Sequence, residues 1–331
     1  MIYRTLGKTN FNISEISLGT WQVGGKWGSP FDSNNAEAIL KTAIDHGVNF
    51  IDTADVYSDG LSEKAVGKAV SSYQQKIYIA TKCGRTFRPH TDSSYTLGAL
   101  RKSVEDSLLN ICVEHIDLIQ LHCPPWETYY RPEVFDLFDR LKAEGKIGAL
   151  GVSVEKVEQA IKAMEYDNVT TIQIIFNMFR QRPSELFFDL AKDKNVGIII
   201  RVPLASGLLT GTYNANTTFG ADDHRTFNRN GNAFDKGETF SGINYDKGLE
   251  AVRILKDHFG DKNLALLAIK WVLMYDAVSC VIPGASSPSQ VDNNLLAADL
   301  QQISADDMLF IKSVYDESRE MCIRYGKINL K

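Results

Sequence analysis

Short apolar runs alternate along the chain with longer segments whose apolar residues recur at helical spacing. The runs are rich in Ile and Val, as is typical of strands covered on both faces. They predict eight core strands, at residues 16–19, 48–52, 77–82, 116–121, 147–152, 171–175, 197–202 and 278–282. The intervening segments predict helices at 34–46, 61–72, 95–110, 132–144, 155–165, 184–193, 262–275 and 288–298.

Eight strand–helix units with right-handed crossovers close most naturally as a (β/α)8 TIM barrel, here expected as one domain over residues 1–331. A doubly wound sheet is the alternative, but LGTWQVGG after the first strand lacks the GxGxxG spacing of that fold. Three additions to the barrel are predicted. They are an N-terminal β-hairpin at 1–14, a long functional loop at 211–245 before the last two units, and an extra C-terminal helix after about residue 303.

Composition narrows the class of protein. The chain is 44% hydrophobic and 23% charged, with a net charge of −5, which argues against nucleic acid or anionic lipid as a partner. No apolar run approaches the length of a membrane span, and the N-terminus lacks a signal-peptide pattern. The cysteines are far apart and form no CxxC, which favours reduced thiols and a cytoplasmic location; they are Cys83, Cys112, Cys123, Cys280 and Cys322.

Four polar residues follow consecutive predicted strands: Asp52 and Tyr57 follow the second, Lys82 ends the third, and His122 follows the fourth. In a parallel barrel these positions meet at one mouth, where such folds carry out their chemistry. An ammonium beside a phenol lowers the phenol's pKa, and a carboxylate keeps the ammonium charged. We therefore expect proton donation to a carbonyl oxygen. A single strand-end histidine, with no HxH, predicts no metal site.

The same four residues resemble the catalytic tetrad of the aldo-keto reductases in order and spacing. GTW at 19–21, LKAEGKIGALGVSV at 141–154, VPLASGLLTG at 202–211 and VIPGASSPSQVDNN at 281–294 resemble other segments of that family. The nearest resemblance is to the branch that includes the potassium-channel β subunits. It implies an NAD(P)H-dependent reduction of an aldehyde or ketone, with Tyr57 as the general acid, Lys82 and Asp52 as its tuning pair, and His122 orienting the carbonyl.

The resemblance also implies a nicotinamide cofactor, NADP(H) in preference to NAD(H), with Ser153 and Gln173 at the carboxamide. Other expected cofactor contacts are Gly19, Thr20, Trp21, Asp52, Arg201, Pro203, Leu204, Ser206, Leu208, Gly211, Gly284, Ser286, Gln290, Asn293 and Asn294. Expected walls of the substrate pocket are Trp21, Tyr57, Phe87, His122 and Trp126, with Met178 and Phe179 as further candidates. Arg88 and Arg324 are candidate anchors for an anionic group on a small carbonyl or alcohol substrate.

Two positions depart from the family's pattern. Val154 replaces the usual Asn, so Gln173 is expected to carry more of the carboxamide recognition. Arg201 replaces an aromatic ring that usually stacks on the nicotinamide. Either this arginine favours reduced cofactor or an anionic substrate, or it pairs with a nearby acid. In the long loop, the basic stretch 224–229 either closes over a cofactor phosphate or is a solvated loop.

Two other functions remain open at the level of sequence. One is a cofactor-binding regulatory subunit with little turnover on the same scaffold. The other is a metal-dependent hydrolase on a TIM barrel, which the sequence supports little. The oligomeric state is left open.

Overall fold

Eight parallel strands form one sheet in sequential order. The computed structural model describes the backbone of residues 1–25 and 29–326, and their side chains up to residue 318. Bridges from Ile16 to Val281 and from Gly19 to Gly284 join the first edge of the sheet to the last. The predicted (β/α)8 barrel is therefore confirmed. Its strands are β3 (Leu18–Gly19), β4 (Phe50–Asp52), β5 (Tyr78–Cys83), β6 (Ile116–His122), β7 (Ile147–Ser153), β8 (Val169–Ile175), β9 (Gly197–Arg201) and β10 (Val278–Val281).

The helices cover the outside of the barrel, and their ends follow local capping rules. The Asp32 carboxylate accepts hydrogen bonds from the amides of Asn34 and Asn35 at the start of the first helix, and the Thr96 hydroxyl accepts one from the Ala99 amide at the start of the third. The helices are α1 (Ser33–Asp45), α2 (Leu61–Val70), α3 (Leu97–Ile111), α4 (Pro132–Ala143), α5 (Val157–Ala163), α6 (Phe187–Asp193), α7 (His224–Phe227), α8 (Tyr245–Phe259), α9 (Leu264–Leu273), α10 (Pro288–Leu295) and α11 (Ala305–Gly326). No helix in the described part of the chain is both long and apolar enough to cross a bilayer.

The N-terminal hairpin closes the end of the barrel opposite the predicted mouth. Strand β1 (Tyr3–Thr5) pairs antiparallel with β2 (Asn12–Ser14), as predicted. Leu6 and Ile13 from this hairpin are fully buried and pack against Phe50 and Leu118 from the amino-terminal halves of core strands. With that end filled, the carboxyl ends of the strands are left as the open side.

The long segment 211–245 is more structured than the sequence predicted. It contains α7 and two short 3-10 turns, at Lys236–Glu238 and Phe240–Gly242. Directly after it comes α8, which the sequence reading missed. Helix α8 is capped by Asn244 and buries residues at helical spacing, including Ala251, Leu255 and Phe259. Gly248 inside the helix and the polar segment before it obscured the pattern. The predicted C-terminal helix is present as α11.

Candidate active site

Lys82 lies at the centre of a closed hydrogen-bond arrangement. Its ammonium donates to the Asp52 Oδ2 at 2.6 Å, to the Thr53 carbonyl oxygen at 2.7 Å and to the Tyr57 hydroxyl at 3.3 Å. An ammonium has three hydrogens, so each has one acceptor. The side chain is 0% exposed and that of Asp52 is 2% exposed. Burial disfavours the charged lysine, but the Asp52 carboxylate and the Tyr57 oxygen outweigh it, and the pKa of Lys82 is raised.

The hydroxyl of Tyr57 accepts from Lys82, so its own hydrogen is left to donate towards the cleft. A sharp turn places the ring there, since Ser58, Asp59 and Gly60 all have positive φ, a conformation that is costly for the first two residues. Burial raises the pKa of Tyr57, and Lys82 lowers it by a smaller amount. The net direction is upwards, which is opposite to the lowering expected from the sequence.

Two glutamines hold the second oxygen of the Asp52 carboxylate. Gln120 donates to Oδ1 at 3.0 Å and Gln173 at 2.7 Å. The Oδ2 atom is thereby reserved for Lys82. Gln120 was not among the predicted residues, although a polar residue inside the apolar strand IDLIQLH was a usable signal.

His122 faces Tyr57 edge-on, with ring centroids 6.0 Å apart. Burial, followed by the nearby charges of Lys82, Arg85 and Arg201, holds the pKa of His122 well below its usual range. The imidazole is therefore neutral at neutral pH. Its Nδ1 atom is buried without a hydrogen-bond partner, so this ring is positioned mainly by packing.

A cleft of about 1260 Å³ opens above these residues. It exceeds the roughly 300–1,000 Å³ of sites for drug-sized ligands, so a dinucleotide and a substrate fit together. Most of the predicted site residues line it: Gly19, Thr20, Trp21, Asp52, Tyr57, His122, Trp126, Gln173, Arg201, Pro203, Leu204, Ser206, Gly284, Ser286, Gln290, Asn293 and Asn294. Arg88 lines the same cleft.

Other predicted residues are not brought to this surface. Lys82 lies beneath Asp52 and Tyr57. Ser153 is 0% exposed, and its hydroxyl donates to Gln173 from behind at 3.4 Å. Leu208, Met178 and Phe179 pack in the main hydrophobic core, and Phe87 packs against that core; neither these residues nor Gly211 line the cleft. The side chain of Arg324 lies outside the described residues.

Arg201 forms a buried ion pair with Glu238 from the long segment. The Nη1 to Oε2 distance is 2.6 Å, and the side chains are 11% and 8% exposed. Nη2 donates to the Val154 carbonyl oxygen at 2.9 Å and lies 3.8 Å from the Cys123 sulfur. Of the alternatives left open by the sequence, the structure shows pairing with an acid. Glu238 itself could not be predicted, because it lies 37 positions after Arg201 in a segment that has no strand or long-helix periodicity.

The basic stretch of the long segment is engaged by its own neighbours. Arg225 binds Asp223 and the Tyr213 hydroxyl. Arg229 lies against the ring of Tyr245, 5.0 Å from its centroid. His224 covers Trp21, with ring centroids 5.2 Å apart. This stretch therefore shapes the roof of the cleft.

The model of the aldo/keto reductase family matches residues 15–316. The chain belongs to this family. It is 31% identical to aldo-keto reductase YhdN of Bacillus subtilis, over 88% of this chain and 87% of the relative. It is 28% identical to a probable voltage-gated potassium channel β subunit of Arabidopsis thaliana, over 91% and 92%. The solved structure of aldo-keto reductase AKR11C1 from Bacillus halodurans matches with a TM-score of 0.76 and 27% identity, over 95% and 96%.

These similarities confirm the family and the branch predicted from sequence motifs. The protein is an NAD(P)H-dependent oxidoreductase on a TIM barrel. The cleft suits such a cofactor, because its lining combines Gln173, which is bonded to Asp52, with Pro203 and Leu204 after β9 and with Gln290 and Asn294 of α10.

Proposed function

We propose that this protein reduces an aldehyde or ketone to an alcohol, with Tyr57 donating the proton to the carbonyl oxygen. The bound nicotinamide supplies the hydride in this chemistry. The observation that supports the proposal best is that the Lys82 ammonium donates all three of its hydrogen bonds, to Asp52, Thr53 and Tyr57. This arrangement fixes the direction of the Tyr57 hydrogen and places a positive charge where a phenolate forms.

Tyr57 acts as the general acid for the reduction. Its raised pKa keeps it protonated over the physiological range, so the proton is present when the alkoxide develops. As the proton leaves, the Lys82 ammonium 3.3 Å away stabilises the phenolate. Asp52 holds the ammonium in place. The neutral His122 has one N–H to offer to the carbonyl oxygen, which orients the substrate against the phenol.

For the cofactor we propose NADP(H) in preference to NAD(H). The support lies in Ser286, which lines the cleft, and in Ser287, the residue before α10, since both have hydroxyls next to the first amides of that helix. The cleft residues beside and within α10 are neutral: Ser286, Gln290, Asn293 and Asn294. Recognition of a 2′-phosphate by an arginine fork gives the strongest preference, so we expect a moderate preference, below about a hundredfold.

For the substrate we propose a small or aromatic aldehyde, with an anionic group accepted at the rim. Trp21 and Trp126 form flat apolar walls beside His122. At the edge, the Arg88 guanidinium donates to the carbonyl oxygens of Arg85 and Phe87. These acceptors are neutral backbone oxygens, so the charge of Arg88 is available to a substrate carboxylate or phosphate.

A panel of aldehydes and ketones tests the proposal, with both reduced cofactors and absorbance loss at the nicotinamide band as the readout. The panel pairs each neutral aldehyde with its carboxylated counterpart. We expect turnover with at least one aldehyde and a lower KM for the carboxylated member of a pair. Tight cofactor binding without turnover on any member would favour the regulatory function suggested by the channel-subunit relative.

A further inference from the structure

The ion pair between Arg201 and Glu238 connects the end of strand β9 to the segment folded over the mouth of the barrel. Arg201 ends strand β9, next to β8, in register with Ile175 and two residues beyond the partner of Gln173. Glu238 belongs to the segment folded over the mouth. Both side chains line the cleft. The pair is therefore part of the wall that any ligand beside Tyr57 contacts.

A cation at this position acts directly on the reacting centre. Arg201 is close enough to lower the pKa of both Tyr57 and His122 by its charge. It stays protonated at every accessible pH, because the Glu238 carboxylate holds the pKa of Arg201 high against the effect of burial. A bare guanidinium would repel the oxidised nicotinamide ring, which is positive, but not the reduced ring, which is neutral.

The charges around Arg201 leave Glu238 as its direct counter-ion. Glu155 is the other nearby carboxylate, and it faces Arg85 at 3.4 Å. Arg180 donates to the Glu155 backbone carbonyl. The oxygens of Glu155 and Glu238 and the Cys123 sulfur lie within 4.8 Å of one another, a geometry that suits a cation. The Arg201 guanidinium contacts both Cys123 and Glu238, so it is the cation that this group holds.

We infer that Glu238 is a specificity-determining residue that neutralises Arg201 and so allows the site to bind oxidised as well as reduced nicotinamide. The inference rests on the proposed function, since it requires a nicotinamide beside Tyr57. It gives the long segment a chemical role: the segment delivers the negative charge that the barrel strand lacks. The aromatic ring that would stack neutrally in relatives is here replaced by a neutralised ion pair.

The pair is not needed to hold the segment in place. The Ser206 hydroxyl accepts from the Phe240 amide at 3.0 Å, and Asn177 donates to the Ser241 hydroxyl at 2.7 Å. These neutral contacts are made by the residues two and three positions after Glu238. A Glu238→Gln variant, which keeps the shape of the side chain, should therefore leave the segment over the cleft while removing its charge.

The test is a set of fluorescence titrations that give dissociation constants for oxidised and reduced NADP, without any substrate. The parent is compared with Glu238→Gln, Arg201→Gln, the double variant and Glu158→Gln. We expect Glu238→Gln to raise the ratio of oxidised to reduced dissociation constants by about tenfold, the effect of one partly screened charge at short range. In the double variant this ratio should lie within about threefold of the parent's, because both charges are removed.

Glu158→Gln is the matched control, since it removes an exposed carboxylate that pairs with Arg182 and does not line the cleft. Its ratio should stay within about threefold of the parent's. Equal weakening of both cofactors in Glu238→Gln would mean that the pair only fastens the segment, and would overturn the inference. A ratio in Glu238→Gln equal to that of the parent would overturn it too. A parent that binds neither form would instead refute the proposed function.

Discussion

At the scale of single residues, the arrangement of the site depends on one fully buried ammonium, that of Lys82. Lys82 is 0% exposed and has acceptors for all three hydrogens. Burying a charge is costly unless it is paired, and removing one partner leaves the other uncompensated. We therefore propose that the Asp52–Lys82 pair serves Tyr57, and we expect the fold to be sensitive to the loss of either half.

Lys82→Met should abolish reduction and lower the free energy of unfolding by about 3–5 kcal/mol, because the Asp52 carboxylate stays buried without its cation. Denaturant unfolding followed by circular dichroism measures the stability. Asp52→Asn combined with Lys82→Met should be more stable than Lys82→Met alone. Lys68→Met, at an exposed surface pair, should change stability by less than about 1 kcal/mol. A Lys82→Met protein as stable as the parent would contradict this assignment.

The sequence predicted the residues at strand ends and missed those that come from irregular chain. Asp52, Lys82 and His122 each come at the end of a short Ile- and Val-rich run. The repeating strand–helix pattern therefore predicts that they lie at the carboxyl ends of neighbouring strands. Gln120 lies inside such a run and carried a signal that was overlooked. Glu238 carried none, because its position depends on how a long polar segment folds back on the mouth.

At the scale of elements, the packing of α2 against α3 supports the strands that hold Asp52 and Lys82. Gly67 in α2 lies so close to α3 that an added Cβ would come within 1.9 Å of the Ile111 carbonyl oxygen. The close approach involves backbone on both sides, so it cannot be relieved by a side-chain rotation.

Gly67→Ala should therefore destabilise the protein by about 1–3 kcal/mol, despite the better helix propensity of Ala. Gly98→Ala in α3 is the matched control, since nothing lies within 4 Å of its added Cβ, and it should be neutral or stabilising by about 1 kcal/mol. Thermal unfolding of both variants measures the change in stability relative to the parent. Similar melting temperatures for the two would show that the helices can move apart freely.

The strands and all eight predicted helices between or after them match the observed elements to within about three residues at each end. In the predicted helix 184–193 the first residues form a 3-10 turn, and α6 begins at Phe187. Helix α8 was missed because Gly248 weakens its pattern. The segment 211–245 was predicted as a loop and contains α7, which Asp223 caps. Such short elements depend on tertiary contacts more than on periodicity.

At the scale of the whole molecule, stability depends on pH through a partly buried acid next to the turn that carries Tyr57. Asp55 has a pKa of about 6, raised first by burial and then by Glu63. Its Oδ1 is buried without a partner, while Thr86 and Ser103 donate to Oδ2. The folded state therefore binds this proton more tightly than the unfolded state, so the contribution is present below about pH 4 and is lost as pH rises through about 6.

Asp55→Asn removes this dependence, because the amide is neutral at every pH. Relative to the parent, the variant should gain about 2–3 kcal/mol of unfolding free energy between pH 4 and pH 7.5. Denaturation curves at several pH values measure that difference. His90 and His224, with pKa values lowered to about 4 mainly by burial, are common to both proteins and cancel. A difference that is constant with pH would contradict the raised pKa.

The barrel as a whole could be predicted because eight repeats of one pattern have few ways to close. The N-terminal hairpin fills one end of the barrel. The candidate active site lies at the other end, where the carboxyl ends of the parallel strands meet. What the pattern could not supply is the roof of the cleft, where His224 covers Trp21 and Glu238 meets Arg201. The cytoplasmic location inferred from the cysteines stays a prediction.

We propose that Tyr57 donates the proton and that the rest of the site binds the cofactor. The most direct measurement compares Tyr57→Phe with the parent in two quantities. These are kcat for the reduction of a good aldehyde substrate and the dissociation constant of the enzyme for reduced cofactor. Tyr130→Phe, at an exposed ring, is the matched control and should keep the parent's rate. We expect Tyr57→Phe to lose about 10²–10⁴-fold in kcat with cofactor affinity within about threefold of the parent's. A Tyr57→Phe enzyme that turns over at the parent's rate would contradict the account.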